Sequence, residues 1–331
     1  MRGRLCSLAA LIAFFAAPAS AQEPVRIGIG FGLAFLPAYI CEDLKLVEKY
    51  GKELHLDVKA SYQRYLGAGP MQQAISSGAI DVAPFGTAPL LAAWEKTKGT
   101  PQQIFAVSGL TSMPLALLSN QPNLRTIADF KPTDRIAMPS LTAPQMYLLQ
   151  MQAEKSLGQY DRLDGQVVAL PPSDLVAALS PANAAGAVAA YFASPPYSEL
   201  ALRDGAMRTV LTSAQVMNGK SSFLLLGASH AYIESHPQIP AVIDKAMDEA
   251  ARIIHDDPRR AAQIYLTHEP SRTLSSPLIE AVLKDIRDEF GSPVYGVKIF
   301  ADFMGRHGEL KSPPRSWKEI VAPALLNSPS S

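Results

Sequence analysis

The sequence is poor in cysteine and has no excess of either charge. Its 331 residues contain two cysteines, and 30 lysines and arginines balance 30 aspartates and glutamates. Two cysteines are too few for a disulfide scaffold or a cysteine-rich metal site. A balanced charge gives no basis for binding nucleic acid, which requires a basic surface that displaces counterions from phosphates. Because 48% of the residues are apolar, the chain is not a disordered protein and should bury a large core.

Motifs for common catalytic and metal sites are also missing. None of the six histidines lies in a His-Glu-x-x-His pattern, and there is no Gly-x-Ser-x-Gly or Gly-x-x-x-x-Gly-Lys-Ser/Thr segment. Gly28, Gly30 and Gly32 follow a β-branched segment, but their spacing differs from the Gly-x-Gly-x-x-Gly of dinucleotide sites. We therefore expect no metal, no cofactor and no catalytic residues.

No long hydrophobic run follows the first twenty residues. Residues 8–17 form an apolar run of about half the ~20 residues that a membrane-spanning helix needs. Two arginines precede this run, and the small residues Ala19-Ser20-Ala21 follow it. We predict a signal peptide over residues 1–21, cleaved after Ala21, and a soluble periplasmic protein; the alternative is a membrane anchor. Cleavage would remove Cys6 and leave Cys41, which we expect to be a buried, inert thiol.

Strand and helix patterns alternate through the first 110 residues. Alternating, β-branched segments predict strands over 25–30, 54–60, 79–84 and 103–107. Apolar residues spaced three and four apart predict helices over 38–50, 70–77 and 89–96. This alternation, with short loops, is typical of a parallel α/β sheet.

The same alternation restarts after residue 114 and then gives way to helices. We predict strands over 115–118, 135–138, 166–170, 187–192, 209–211 and 222–226, with helices over 144–157 and 173–179. From residue 237 the pattern is helical, over 243–254, 259–266, 277–290 and 296–306. A chain of this length holds about two domains. The sequence thus predicts an α/β fold of two lobes with a C-terminal helical region.

Several predicted strands end in loops rich in Gly, Ser and Thr that lead directly into a helix. Backbone N–H groups at helix N-termini favour anionic or polar groups, and ligands in open α/β sheets bind at the carboxyl ends of strands. We expect ligand contacts there; the alternative is simple N-capping by the hydroxyl side chains. The loops are 32–37, 67–70, 86–89, 139–144 and 171–174.

Aromatic residues flank these loops and could line a small-molecule cleft. Tyr191, which precedes Ala193-Ser194-Pro195, is our preferred cleft wall, and core packing is the alternative for each aromatic residue. The flanking residues are Phe31, Phe35, Tyr39, Phe85, Tyr191 and Phe192.

Several segments, in their order along the chain, carry a resemblance to one protein family. They are 32–39 (GLAFLPAY), 45–51 (KLVEKYG), 74–83 (AISSGAIDVA), 127–130 (IADF), 135–139 (RIAMP), 191–197 (YFASPPY), 301–304 (ADFM) and 316–319 (SWKE). Over residues 25–325 the chain resembles the periplasmic substrate-binding proteins of ABC importers, in the nitrate/taurine/sulfonate and thiamine-precursor-binding group.

The resemblance implies a type II periplasmic-binding-protein fold, in which two α/β lobes close around a cleft. Residues 22–112 and 221–331 would form lobe 1 with the C-terminal helices, and residues 113–220 would form lobe 2. The chain would cross between the lobes near Ser112–Leu115 and near Gly219–Phe223.

It also implies ligand contacts from loops of both lobes. Many members have a Gly-x-x-Asp-Ala pattern before the last strand of lobe 2, whereas residues 186–191 contain no Asp here, which disfavours a cationic ligand held at that point. Arg64, the cation nearest to a predicted cleft loop, could pair with an acidic group or lie exposed on the surface. The implied ligand-binding residues are Phe35, Pro37, Gly67, Gly69, Gly86, Thr87, Ser140, Thr142, Tyr191 and Ser194.

The implied function is that of the solute-binding component of an ABC transporter. The protein would capture a small organic solute by hinge closure and deliver it, as a monomer, to permease subunits in the inner membrane. The scarcity of charge in the predicted cleft favours a sulfonate, a carboxylate or a flat heteroaromatic compound. The alternatives are an enzyme of the same fold acting on a small aromatic or pyrimidine metabolite, and an exported sensor or chaperone-like partner. The enzyme is less favoured because the similar pyrimidine synthases carry a cysteine-rich motif.

Overall fold

The computed structural model describes residues 22–171, 174, 188–203, 205 and 207–327. The predicted signal peptide over 1–21 and nearly all of the predicted helix over 173–179 lie outside the described residues. Within the described ranges, no helix combines the length and the apolar character needed to cross a membrane.

Five strands form a first sheet. They are β1 (Glu23–Ile29), β2 (Val58–Arg64), β3 (Val82–Gly86), β4 (Ile104–Thr111) and β10 (Leu224–Ser229). Their order is β2-β1-β3-β10-β4, with β2, β1 and β3 parallel and β10 antiparallel to both of its neighbours. The sheet is therefore mixed and not wholly parallel as expected, because β10 enters it in the opposite direction after the chain has visited the second sheet.

The second sheet repeats this arrangement. Its strands are β5 (Ala116–Ser119), β6 (Ile136–Met138), β7 (Val167–Ala169), β8 (Ala190–Ala193) and β9 (Arg208–Thr212). Their order is β7-β6-β8-β5-β9, with β7, β6 and β8 parallel and β5 antiparallel to β8 and β9. The restart of the strand–helix pattern after residue 114 thus corresponds to a second sheet with the same strand order.

Helices connect the strands and form the C-terminal region. Those between strands are α1 (Leu36–Leu44), α2 (Leu46–Glu53), α3 (Ala68–Ser76), α4 (Thr87–Lys96), α5 (Pro144–Leu157), α6 (Tyr197–Leu202) and α7 (Ser213–Met217). The C-terminal helices are α8 (His230–Ser235), α9 (Ile239–Asp256), α10 (Pro258–His268), α11 (Ser276–Ile286) and α12 (Val297–Arg306). The predicted helix over 144–157 is confirmed as α5. The predicted helix over 38–50 is wrong as one element, because Lys45 adopts a left-handed conformation (φ 52°) and separates α1 from α2.

Two strands of the first sheet begin three or more residues later than the sequence pattern indicates. The strand predicted over 54–60 starts at Val58, because Leu54 ends α2 and His55 turns the chain with a φ of 60°. The strand predicted over 79–84 starts at Val82, because the N–H groups of residues 79 and 80 still bond to the carbonyl of Ala74 in α3. In both places, hydrogen bonds that terminate a helix occupy the first residues of the predicted strand.

The chain passes between the two sheets twice, once from β4 to β5 and once from β9 to β10. The predicted crossings, Ser112–Leu115 and Gly219–Phe223, lie within these two connections. The connections contact each other directly: the Phe223 N–H donates to the Thr111 carbonyl at 2.8 Å, and the Ser213 N–H donates to the Leu115 carbonyl at 2.8 Å. The two passages therefore run side by side, as a two-stranded hinge requires.

The C-terminal region covers the outer edge of β4. The Ala106 N–H donates to the Ile320 carbonyl, and the Gly109 N–H donates to the Ser292 carbonyl, each at 2.7 Å. A Cβ atom at Gly109 would lie 2.5 to 2.8 Å from the carbonyl oxygens of residues 291–293, so only glycine fits. These contacts pair a strand edge that would otherwise be open, and they attach the C-terminal region to the first sheet.

Helix α9 supplies a large part of the core beneath the first sheet. It packs against α1, α2 and β4. Its fully buried face includes Val242, Ile243, Ala246, Met247 and Ala250. Cys41 is fully buried against it, with its Sγ atom 3.4 Å from the Ala246 carbonyl oxygen. Burial raises the pKa of the Cys41 thiol, so the prediction of a buried thiol is confirmed.

Candidate functional site

The loops singled out from the sequence lie at the carboxyl ends of parallel strands. Because β2, β1 and β3 are parallel neighbours, the loops after them meet at one edge of the first sheet. In the same way, the loops after β6 and β8 lie at one edge of the second sheet, together with residues 170 and 171 after β7; residues 172 and 173 of the predicted loop 171–174 lie outside the described residues. We call these the first edge and the second edge. Such edges are where open α/β sheets bind ligands.

The two edges contact each other beside β3. Gly86 ends β3 at the first edge, and Pro144 begins α5 at the second edge. A Cβ atom at Gly86 would lie 2.5 Å from the Cγ atom of Pro144, so the glycine allows this close approach. On the same side, α12 packs against α4, and its Arg306 donates to Glu154 of α5 at 2.8 Å. The first and second edges are therefore adjacent in the fold.

Large apolar side chains are exposed in the loops of both edges. Phe31 is 48% exposed after β1, Leu66 is 84% exposed after β2, and Leu141 is 54% exposed after β6. Each of the three side chains lies in a loop that follows a parallel strand, where open α/β sheets bind ligands. A solute held between the edges would cover them.

At the first edge, the predicted site residues differ in how much they are already engaged. Thr87 is fully buried, and its hydroxyl donates to the Ser222 carbonyl at 2.7 Å, which ties the loop after β3 to the second crossing. Phe35 is half-buried beside Gly30, where a Cβ atom would lie 2.5 Å from its ring, and Pro37 is buried in the first turn of α1. Gly67 (φ 88°) and Gly69 are exposed, with open space at their Cβ positions.

At the second edge, the hydroxyl groups are less engaged. The Oγ atom of Ser140 lies 3.1 Å from the Oγ1 atom of Thr142, and the Thr142 N–H donates to Ser140 Oγ at 3.2 Å. Thr142 is exposed and Ser140 is half-buried. Ser194 is half-buried, and its carbonyl accepts from the N–H groups of Tyr197 and Ser198 at the start of α6. In the described residues, both hydroxyls of the loop after β6 therefore bond only within their own loop.

Tyr191 lies in the core of the second sheet. It is fully buried, and its hydroxyl donates to the Leu170 carbonyl at 2.8 Å. Burial raises the pKa of this hydroxyl. The ring of Tyr191 therefore exposes no surface, and its position agrees with the alternative of core packing. Phe192 is also fully buried.

The structure adds Glu269, which the sequence did not single out. Glu269 directly follows α10, and its Oε1 atom accepts from the Gly32 N–H at 2.5 Å and from the Tyr39 hydroxyl at 2.6 Å. Its Oε2 atom lies 3.4 Å from the Tyr265 hydroxyl. Burial, and then the charge of Glu269, raises the pKa of both tyrosines, so both remain hydrogen-bond donors at neutral pH. No local pattern could have indicated these partners, because Gly32 and Glu269 are 237 positions apart.

The cations near Glu269 are paired with other carboxylates. Arg64 donates to Glu42 at 2.9 Å, and the Nε2 atom of His268 lies 2.8 Å from Asp43. Arg64 is exposed on the surface and pairs with Glu42, and its guanidinium also lies 5.6 Å from the ring of Tyr39. His268 stacks on Tyr39 with ring centroids 4.7 Å apart. Over the described ranges, no set of three or more His, Cys, Asp and Glu side chains is arranged to hold a metal ion.

Solved structures show the fold. The periplasmic aliphatic sulphonate binding protein SsuA from Escherichia coli is 18% identical, with a TM-score of 0.69 over 91% of this chain and 97% of that chain. The periplasmic nitrate-binding protein NrtA from Synechocystis PCC 6803 is 17% identical, with a TM-score of 0.68 over 93% and 90%. The alkanesulfonate-binding protein SsuA from Xanthomonas axonopodis pv. citri is 21% identical, with a TM-score of 0.65 over 91% and 97%. The predicted type II periplasmic-binding-protein fold, with two α/β lobes around a cleft, is confirmed.

Sequence comparison identifies the family. A search of curated protein sequences finds no match to this chain. The sequence profile of the NMT1-like family, in contrast, matches residues 18–266, which is three quarters of the chain. The chain belongs to the NMT1-like family.

Proposed function

We propose that the protein is the solute-binding component of an ABC importer. It binds a small organic solute between its first and second edges and presents the closed complex to permease subunits in the inner membrane. The observation that carries this proposal is the pair of adjacent edges with exposed Phe31, Leu66 and Leu141 in their loops. The similarity in fold to periplasmic sulfonate- and nitrate-binding proteins supports the proposal. Those neighbours are binding proteins, which favours a binding role over a catalytic one.

In this proposal the two sheets belong to two lobes that move about the paired crossings. Lobe 1 consists of residues 22–112 and 221–331, and lobe 2 consists of residues 113–220. The hydrogen bonds between the two crossings favour rotation about a common axis over separation. A signal peptide over residues 1–21, cleaved after Ala21, directs the protein to the periplasm, where it acts as a monomer.

The solute contacts come from both edges. The exposed N–H groups around Gly67 and Gly69 and the hydroxyls of Ser140 and Thr142 supply polar contacts. The exposed apolar side chains cover the body of the solute. A sulfonate, a carboxylate or a flat heteroaromatic compound has the combination of a polar group and an apolar body that these contacts suit.

Thermal melting of the exported protein against a panel of solutes tests the proposal. The panel contains alkyl and aryl sulfonates, nitrate, aromatic carboxylates and small nitrogen heterocycles. A solute at about 100 times its Kd adds about 2.7 kcal/mol of stability, which raises Tm by roughly 2 °C or more in a chain of this size. Thr142→Ala should reduce that shift. Consumption of the solute during the experiment would contradict a binding role and favour the enzyme.

A further inference from the structure

A segment near the C-terminus is fixed to the first sheet through α4. The segment consists of residues 297–312, which comprise α12 and the turn after it, and we call it the strap. Helix α12 packs against α4, which connects β3 to β4 in the first sheet. The carboxylate of Glu95 in α4 accepts from the backbone N–H groups of Lys311 and Ser312 at 2.6 and 3.0 Å. The strap therefore belongs structurally to the first sheet.

The strap is also bonded to α5 of the second sheet. The Arg306 guanidinium and the His307 Nε2 atom each lie 2.8 Å from a different oxygen of Glu154 in α5. Two turns earlier in α5, the Tyr147 hydroxyl donates to Glu309 at 2.9 Å. These three bonds join the two sheets at a place that is separate from the two crossings of the chain.

Aromatic rings pack beside these bonds. The ring of Tyr160, which follows α5, has its centroid 3.8 Å from that of His307 and 6.0 Å from that of Phe303. The ring of Tyr147 meets that of Phe300 edge to face, with centroids 6.5 Å apart. Phe300 and Phe303 are buried. The contact between the strap and α5 thus combines packed rings with charged groups, and it is stronger than an isolated exposed ion pair.

The strap lies on one flank of the molecule. Right-handed connections from β6 to β7 and from β8 to β9 place α5 and α6 on opposite faces of the second sheet. For the same reason, the connections from β3 to β4 and from β1 to β2 place α4 and α1 on opposite faces of the first sheet. Helix α10 packs against α1, and α11 packs against α10. Helices α4, α5 and α12 therefore form one flank, which we call the strap flank, and α6 and α11 lie on the other, the far flank.

On the far flank, a cavity of about 430 Å³ lies between the helices of the two sheets. One wall includes Glu199 and Leu202 of α6, and the other includes Leu278, Ala281 and Asp285 of α11. Among the described residues, no hydrogen bond or ion pair joins α6 to α11. The two flanks thus differ, because one is bonded across the sheets and the other is separated by a cavity with apolar side chains on both walls.

We propose that the strap is a latch that confines the opening and closing of the cleft to the far flank. The strap holds α5 against α4, while α6 moves relative to α11. The cavity supplies the space for this motion, and Leu202 and Leu278 become buried when the far flank closes. This inference rests on the proposed function, since it describes how that same cleft opens and closes.

The test measures one distance across each flank by pulsed electron paramagnetic resonance, in the protein without solute. Spin-labelled cysteines replace Lys96 of α4 and Lys155 of α5 for the strap flank. They replace Arg203, directly after α6, and Ala281 of α11 for the far flank. All four positions are exposed, whereas native Cys41 is fully buried. We expect a narrow distribution of distances across the strap flank and a wider one across the far flank.

A double variant then releases the latch. Glu154→Ala combined with Tyr147→Phe removes the three bonds between α5 and the strap, and it should widen the distribution across the strap flank. Asp302→Ala is the control, because it removes an ion pair with Lys298 inside α12 that does not reach α5, and it should change neither distribution.

Two results would overturn the inference. One is an equal width of the two distributions in the wild-type protein, which is measured without any variant of the strap. The other is a strap-flank distribution that the double variant leaves unchanged. Both measurements are made without solute, so either result leaves the proposed binding function standing. A thermal-melting panel in which no solute binds would contradict that function and leave the comparison of the flanks unaffected.

Discussion

The first and second edges of the cleft differ in how far the protein has already used its own polar groups. At the first edge, the Gly32 N–H is bound by Glu269 and the Thr87 hydroxyl by the Ser222 carbonyl. At the second edge, the Ser140 and Thr142 hydroxyls bond only locally, in a loop where Leu141 is exposed. The difference teaches that the loops after β1 and β3 are preorganised by contacts with the rest of the protein, whereas the two hydroxyls of the loop after β6 can be redirected to a solute. Preorganisation lowers the cost of binding, and adaptable groups set the fit.

The largest loss of stability should come from adding a side chain at Gly86, where the two edges are in contact. Gly86→Val places side-chain atoms on the ring of Pro144, which cannot move aside easily, and we expect a loss of about 1–3 kcal/mol in the free energy of unfolding. The measurement is urea-induced unfolding. Gly69→Ala is the matched control, because open space surrounds its Cβ position, and it should change stability by no more than about 0.5 kcal/mol. Equal stabilities of the two variants would show that the edges do not touch at Gly86.

The next effect compares one threonine from each edge. Thr87→Val leaves the buried Ser222 carbonyl without its donor, and we expect it to cost about 1–2 kcal/mol. Thr142→Val removes an exposed hydroxyl, so it should leave the free energy of unfolding nearly unchanged and weaken solute binding. Urea unfolding and calorimetric titration of the solute separate the two outcomes. A loss of stability in Thr142→Val together with a loss of solute affinity in Thr87→Val would contradict the roles that we assign to the two edges.

A smaller effect concerns Tyr191. Tyr191→Phe removes only the hydroxyl that donates to Leu170, and we expect a loss of about 1 kcal/mol of stability with no change in solute affinity. The affinity is the informative quantity, because a ring in the core contacts no solute. A weaker solute affinity at unchanged stability would show that Tyr191 forms part of the cleft wall.

The smallest effects concern two carboxylates, Glu154 of α5, which bonds to Arg306 of α12, and Glu199 of α6. The hydrogen bond from Arg306 lowers the pKa of Glu154, so the stability from this pair is complete above the ordinary value of 4.5 and is lost as the pH falls through the lowered value. Burial raises the pKa of Glu199, so its cost is present above that raised value and is relieved as the pH falls toward 4.5. Glu154→Gln should therefore lower stability at pH 7, and Glu199→Gln should raise it. Urea midpoints at pH 7 and pH 4 should show both differences shrinking in acid; differences of the same sign would contradict this account.

Local patterns were sufficient to predict the alternation of strands and helices and the position of the loops. The predicted and observed limits of α5 agree, since proline at its first position and glycine after its last are strong local signals. The break at Lys45 was not predictable, because a left-handed lysine has no sequence signature. The predicted crossings followed from the resemblance rather than from any residue pattern.

The assignment of individual side chains to the cleft was harder for a physical reason. β8 is buried on both faces, so its sequence lacks the alternation that would separate the core side of Tyr191 from the cleft side. Glu269 reaches Gly32 only because α10 ends beside the loop after β1, and a local sequence pattern does not reveal such a tertiary contact. The loops could be predicted locally, but the partners that occupy them depend on contacts across more than 200 residues.

The most direct test of the central claim measures whether the two edges approach each other around a solute. Cysteines introduced at Leu66 and Leu141 can carry spin labels selectively, because Cys41, the one native cysteine in the described residues, is fully buried. Pulsed electron paramagnetic resonance then gives the distance between the labels without solute and with the solute that raises Tm most. We expect the distance to shorten and its distribution to narrow when the solute binds. An unchanged distance with the solute bound would contradict closure of the two edges and, with it, the proposed role.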